Sequence, residues 1–75
     1  MSGAPKGYSE ITPDGFSYAR LRVGLVVRAP NGREVYCQPG DDSAAMLATI
    51  EALEEHEDES GRALLAEMAL GDYFA

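Results

Sequence analysis

The sequence predicts an α+β fold, a three-stranded antiparallel β-meander followed by two helices packed on one sheet face, and three observations carry that expectation. One turn grammar occurs twice, at Thr12-Pro13-Asp14-Gly15-Phe16 and Ala29-Pro30-Asn31-Gly32-Arg33. Around those turns apolar residues alternate with the period of two that marks a half-buried strand. After Gln38-Pro39-Gly40 the period becomes that of a helix, with Met46, Leu47, Ile50 and Leu53 on one side.

Along the single domain expected over residues 1–75, the first segment, 1–7, reads as a flexible arm. The meander follows over 8–38. In each turn Pro presets the first torsion, Asp or Asn suits the second position and Gly takes the left-handed third, which describes a three-residue hairpin loop with a bulge. Between the turns a long middle strand is expected, from about Phe16 to Ala29. Ala19, Leu21, Val23, Leu25 and Val27 then face the core, and Tyr18, Arg20, Arg22, Gly24, Val26 and Arg28 face outward. Gly24 is its natural bend. Closing the second loop pairs Val27 with Val35 and Leu25 with Cys37 inside, and Arg28 with Glu34 and Val26 with Tyr36 outside. The first loop by the same logic sends Ile11 to the core and sets Glu10 near Tyr18 outside.

The helical region is expected over 41–71. Asp41, Asp42 or Ser43 suits the start of a first helix over about 43–57, because such side chains accept from free helical amides and acids favour the positive end. Ser60-Gly61 interrupts the pattern, and a second helix over about 62–70 brings Leu64, Leu65 and Met68 together. Gly61 within one longer helix, at about 1 kcal/mol relative to Ala, is the alternative. Gly71 suits a C-cap, with Asp72-Tyr73-Phe74-Ala75 as a tail.

Size and charge bound the function. A chain of 75 residues buries only about 60% of its unfolded surface, so its core is thin. The single Cys37 excludes an internal disulfide and favours a reducing setting. The N-terminus lacks the apolar stretch of a signal peptide, and no run approaches the roughly 20 apolar residues of a membrane span. A cytoplasmic protein without membrane contact is expected. The net charge is −7, unevenly spread. Residues 1–40 set Lys6, Arg20, Arg22, Arg28 and Arg33 against Glu10, Asp14 and Glu34, whereas residues 41–60 carry Asp41, Asp42, Glu51, Glu54, Glu55, Glu57, Asp58 and Glu59 without a Lys or Arg. Such a balance disfavours direct nucleic-acid binding by the whole molecule.

The run Glu51, Glu54, Glu55, Glu57, Asp58, Glu59 is the feature that most needs explaining. On one helix it makes like-charge pairs at Glu51/Glu55, Glu54/Asp58 and Glu55/Glu59, each costing a few tenths of a kcal/mol, at the end that is already negative. It reads either as a solvated face or as carboxylates that meet a basic surface on a protein partner, one that normally holds phosphates. Its spacing does not make a calcium loop. His56, the only histidine, is expected to be exposed and cannot build a zinc site within the chain. Cys37 falls on the core side, so no Cys–His pair, metal, cofactor or catalytic group is expected, and the chain reads as a non-enzyme.

Two further surfaces suit recognition. Tyr18, Arg20, Arg22 and Tyr36 on the outer sheet face combine residue types enriched at interfaces, and could stack single-stranded nucleic acid. Ala45, Ala48 and Ala52 on the first helix form a smooth stripe suited to a second helix or a homodimer.

Strands leading into Gly40-Asp41-Asp42-Ser43-Ala44-Ala45 and an Ala- and acid-rich helix resemble, in layout over roughly 16–60, small phage-encoded anti-CRISPR proteins. That resemblance implies a non-enzymatic inhibitor that occupies a DNA- or protein-binding surface, sometimes as a DNA mimic. The layout is also similar to HicB-type antitoxins, which implies a toxin-neutralising adaptor, although a DNA-binding appendage is missing here. The leading expectation is a non-catalytic acidic inhibitor that binds a basic protein surface. The alternatives are a nucleic-acid-binding module using the Tyr/Arg sheet face and a dimerising, antitoxin-like adaptor.

Overall fold

The computed structural model describes residues 6–74. It is α+β, with β1 (Ser9–Glu10), β2 (Ser17–Arg20), β3 (Leu25–Arg28) and β4 (Glu34–Cys37) forming one antiparallel sheet in the order β1-β2-β3-β4. Helices α1 (Asp41–Glu54) and α2 (Glu59–Leu70) follow, and a short 3-10 helix spans Gly71–Phe74. Of the arm expected over 1–7, residues 1–5 lie outside the described residues, and Lys6 and Gly7 form an exposed turn.

Both Pro-Asx-Gly loops close as their residues require. Gly15 and Gly32 have positive φ, 126° and 91°. The Gly15 amide donates to the Thr12 carbonyl at 3.2 Å and the Gly32 amide to the Ala29 carbonyl at 2.9 Å, while Thr12 and Ala29 donate to Phe16 and Arg33. The Thr12 hydroxyl, fully buried, accepts from the Phe16 amide and donates to the Asp14 carboxylate.

The sheet has four strands where three were expected, because the long middle strand is itself a hairpin. Leu21 to Gly24 reverse the chain, with the Leu21 amide donating to the Gly24 carbonyl at 3.0 Å. Gly24 sits at φ 97°, and an added Cβ would lie 2.6 Å from the Cys37 carbonyl oxygen and 2.7 Å from the Tyr36 hydroxyl. No other residue type satisfies both the torsion and the space. The Tyr36 hydroxyl donates to the Val23 carbonyl at 2.8 Å and latches the turn to β4.

That reversal resets one register and leaves the other. Between β3 and β4 the pairs are Leu25/Cys37, Val26/Tyr36, Val27/Val35 and Arg28/Glu34, as the second loop dictates. Between β2 and β3 they are Ser17/Arg28, Tyr18/Val27, Ala19/Val26 and Arg20/Leu25. Directly opposed residues share a face, so Tyr18 and Arg20 lie with Leu25 and Val27, and Ala19 lies with Val26. This is the reverse of the assignment that one continuous strand gives. Leu21 and Val23, expected in the core, are exposed in the turn. In the first hairpin Glu10 opposes Ser17, and Ser9 opposes Tyr18, so the expected Glu10–Tyr18 pairing is corrected as well. Ile11 is fully buried, as expected.

The core joins Ile11, Phe16, Leu25, Val27, Ala29 and Cys37 to Met46, Ile50 and Leu53 of α1 and Ala66 and Leu70 of α2, with Tyr18, Val35, Leu47 and Phe74 against its margin. α1 begins two residues earlier than expected. Its N-cap is Gly40, no side chain caps it, and Asp41 and Asp42 occupy the first turn, where acids suit the helix dipole. The Ser43 hydroxyl donates to the Gly40 carbonyl at 3.2 Å.

The helical region is divided at Glu55–Asp58, not at Ser60-Gly61. Asp58 caps α2 by accepting from the Gly61 amide at 3.0 Å, which draws Ser60 and Gly61 into the first turn of that helix. At the other end Gly71 has φ −57°, a helical value, and donates to Glu67. Gly71 is thus the C-cap of α2, as expected, but in a helical rather than a left-handed conformation. The expected tail is the 3-10 helix, held by the Phe74 ring 6.1 Å from that of Phe16 and by Arg33 donating to the Phe74 carbonyl at 2.9 Å.

Candidate functional site

The chain's unusual chemistry collects where α1 ends and α2 begins. Glu51 and Glu54 lie in the last turn of α1, Glu55 is its C-cap, Glu57 lies in the link, Asp58 caps α2 and Glu59 opens it, and all six are exposed. The division of the helices removes part of the repulsion expected of a continuous helix. Glu51 and Glu55 remain one turn apart, joined by the Glu55 amide donating to the Glu51 carbonyl. Glu54/Asp58 and Glu55/Glu59 now straddle the break. Asp58 and Glu59 sit at the positive end of α2, where negative charge is favoured, while Glu54 and Glu55 crowd the negative end of α1, which carries no base in its last turn.

The nearest base does not answer these carboxylates. Arg62 is half-buried, and its Nε and Nη2 donate to the His56 carbonyl at 3.1 and 2.7 Å. Its Nη1 reaches the Ile11 carbonyl at 3.5 Å. The guanidinium thus ties the link and the first turn of α2 to the start of the β1–β2 loop. Among the described residues the ion pair formed is Arg28–Glu34, at 3.4 Å on the sheet. Apart from the Asp58 cap on the Gly61 amide, the acids at the junction are left facing solvent.

His56 is partly buried, not exposed. Its Nε2 would lie 2.5 Å from a Cβ built on Gly61, so the absence of a side chain at Gly61 makes room for the imidazole over the start of α2. Among the described residues no group of three or more His, Cys, Asp and Glu side chains is arranged to hold a metal. No helix among them is long and apolar enough to cross a membrane.

The second expected surface is divided by the new register. Tyr18 is half-buried against the core and shares its face with Val27, while Arg20 ends β2 on that same face. Arg22 is in the β2–β3 turn, and Tyr36 stands on the opposite face with Val26. Tyr18, Arg20, Arg22 and Tyr36 therefore do not form one stacking platform. The outer face instead holds a small polar group around Glu34, which accepts from the Tyr8 hydroxyl and from Arg28. The Tyr8 bond, more than the nearby Arg28, holds the Glu34 carboxyl below its usual range and raises the Tyr8 phenol in turn.

Clefts are found at two places among the described residues. One of about 370 Å³ lies among Phe16, Ala29, Pro30, Asn31, Glu67, Gly71 and Phe74. The other, about 260 Å³, is lined by Val35, Tyr36, Cys37, Asp42, Ala45, Met46 and Tyr73. Cys37 is buried, and burial chiefly, with the Asp42 charge second, pushes its thiol above its ordinary value. A thiol so placed is a poor nucleophile near neutrality.

On α2 the inward residues are Ala66 and Leu70, and Leu64, Leu65 and Met68, the three that the sequence brings together on this helix, are 61%, 40% and 70% exposed. Ala45, Ala48 and Ala52 are exposed on α1, so the chain's own second helix does not cover that stripe. Comparison with known proteins found no match: no family model, no curated protein and no solved structure is significantly similar to this chain.

Proposed function

We propose that this chain is a non-catalytic binding protein of inhibitor type, which docks the carboxylates of its α1–α2 junction on a basic surface of a protein partner. The observation that carries the reading is the unanswered charge at the junction. Glu51, Glu54, Glu55 and Glu57 are exposed and outside any ion pair among the described residues, while Arg62 is committed to backbone carbonyls. Docking such a surface accelerates association and selects partners by charge. A partner surface that ordinarily holds phosphates would be blocked, which is how a small acidic protein inhibits without chemistry of its own. The nucleic-acid alternative loses support with the separation of Tyr18 and Arg20 from Tyr36.

The test uses the quadruple variant Glu51→Gln, Glu54→Gln, Glu55→Gln and Glu57→Gln, which leaves the Asp58 cap in place. Proteins captured from a lysate on the immobilised chain should elute as salt is raised and should not be retained by the variant. Equal retention by both chains sinks the proposal. So does retardation of DNA or RNA by the wild-type chain in a low-salt gel shift.

A further inference from the structure

The exposed face of α2 supplies what the carboxylates alone do not, an apolar contact next to the charge. Leu64 and Met68 are one helical turn apart, and Leu65 is three residues before Met68, so the three side chains make one continuous strip. All three are exposed on a helix whose opposite row, Arg62, Ala66 and Leu70, is the one turned toward the protein. Large apolar side chains grouped on a helix are a mark of recognition when polar residues rim them.

The rim is of one sign. Glu57, Asp58 and Glu59 stand at the N-terminal end of the strip, Glu67 beside its centre and Asp72 one turn beyond Met68, all exposed. The only base on α2, Arg62, is turned to the His56 and Ile11 carbonyls. Charge decides between the candidate occupants. A second copy of a chain with net charge −7 would bring the same acidic rim against itself, and like charges across an interface oppose association. A helix with an apolar stripe flanked by Lys or Arg matches both the strip and its border. Met68, flexible and polarizable, can adapt to different apolar side chains on such a partner.

We infer that Leu64, Leu65 and Met68, with Glu57, Glu59, Glu67 and Asp72 around them, form a docking surface for a basic amphipathic helix. The inference rests on the docking reading above and deepens it, by naming the shape and chemistry of the partner element. Charge would steer the helix in, and the apolar strip would hold it.

The probe is a helical peptide of about 18 residues built from Leu and Lys, compared with a Lys and Ala peptide and a Leu and Glu peptide. Binding is followed by fluorescence anisotropy on the full chain. The Leu and Lys peptide should bind most tightly, and the double variant Leu64→Ser, Met68→Ser should weaken it by about tenfold while leaving the Lys and Ala peptide unchanged. Met68→Lys alone should weaken it in the same direction. If both variants bind the Leu and Lys peptide like wild type while the quadruple Gln variant does not, the inference fails and the charge-docking reading survives. No binding of either Lys peptide at low salt overturns both. Equal affinity for the Leu and Glu peptide overturns the inference, as does a wild-type dimer in sedimentation that the double variant dissolves.

Discussion

The 14 residues of α1 send Met46, Ile50 and Leu53 into the core, whereas the 12 residues of α2 send in Ala66 and Leu70 and leave Leu64, Leu65 and Met68 to solvent. The two helices carry comparable apolar content and use it in opposite ways. On α1 one row dominates, so its orientation follows from composition. α2 carries competing rows, and tertiary contacts choose between them. Arg62 shares the inner row with Ala66 and Leu70, and its bonds to the His56 and Ile11 carbonyls turn that row inward. A large apolar residue is thus a guide to burial only when no polar anchor fixes the helix the other way.

That contrast can be broken most sharply by truncating one residue on each helix. Ile50→Ala, at a fully buried site, should destabilise the chain by about 2–5 kcal/mol in urea denaturation. Leu64→Ser, on the exposed row, should stay within about 0.5 kcal/mol of wild type. Equal losses at the two sites would mean that α2 is rotated from the arrangement described.

A smaller effect is expected at the anchor itself. Arg62→Ala removes hydrogen bonds from a charged donor to two carbonyls, together worth about 1–2 kcal/mol because the side chain is only partly buried. Its loss should free α2 to expose Ala66, read as faster amide exchange in α2 than in α1. Unchanged exchange in α2 would show that the apolar contacts of Ala66 and Leu70 alone set its rotation.

The smallest effect lies on the sheet and concerns pH. The Glu34 carboxyl is depressed by the Tyr8 hydroxyl, so its stabilising contribution is present above the pKa of the unfolded chain and is lost as pH falls through the folded value. Tyr8→Phe should therefore narrow the stability difference between neutral and acidic solution by a small amount, with little change at low pH. A variant as acid-sensitive as wild type would assign the depression to Arg28 instead.

How much was legible follows from where the determining signal sits. The Pro-Asx-Gly turns were readable because Pro, Asx and Gly fix backbone torsions locally, and with them came the whole β3–β4 register from Val27/Val35 to Leu25/Cys37. Of the turn at Leu21–Gly24 only the bend at Gly24 was legible, not the full reversal. Leu21-Arg22-Val23 has strand composition, and the close approach of Cys37 and Tyr36 to Gly24, at a positive φ, is a long-range feature of the fold. Missing that turn inverted the faces of Tyr18 and Arg20 and assembled a Tyr/Arg surface that the fold separates. At the junction the acids were legible as a cluster, and the fold leaves all six exposed. Their partial relief was hidden, because a helix break at Asp58 competes with the Ser60-Gly61 signal and wins through its cap on Gly61. Arg62 carried no sequence signal beyond being the lone base of the helical half.

If the junction carboxylates serve a partner and not the fold, the folded state does not need their charge. Urea denaturation of the quadruple variant Glu51→Gln, Glu54→Gln, Glu55→Gln, Glu57→Gln at low salt tests it most directly. Stability should equal that of wild type or exceed it by a few tenths of a kcal/mol, from relief of the Glu51/Glu55 pair and of the negative end of α1. A variant less stable by about 1 kcal/mol or more would contradict it, since the charges would then be holding the helices in place.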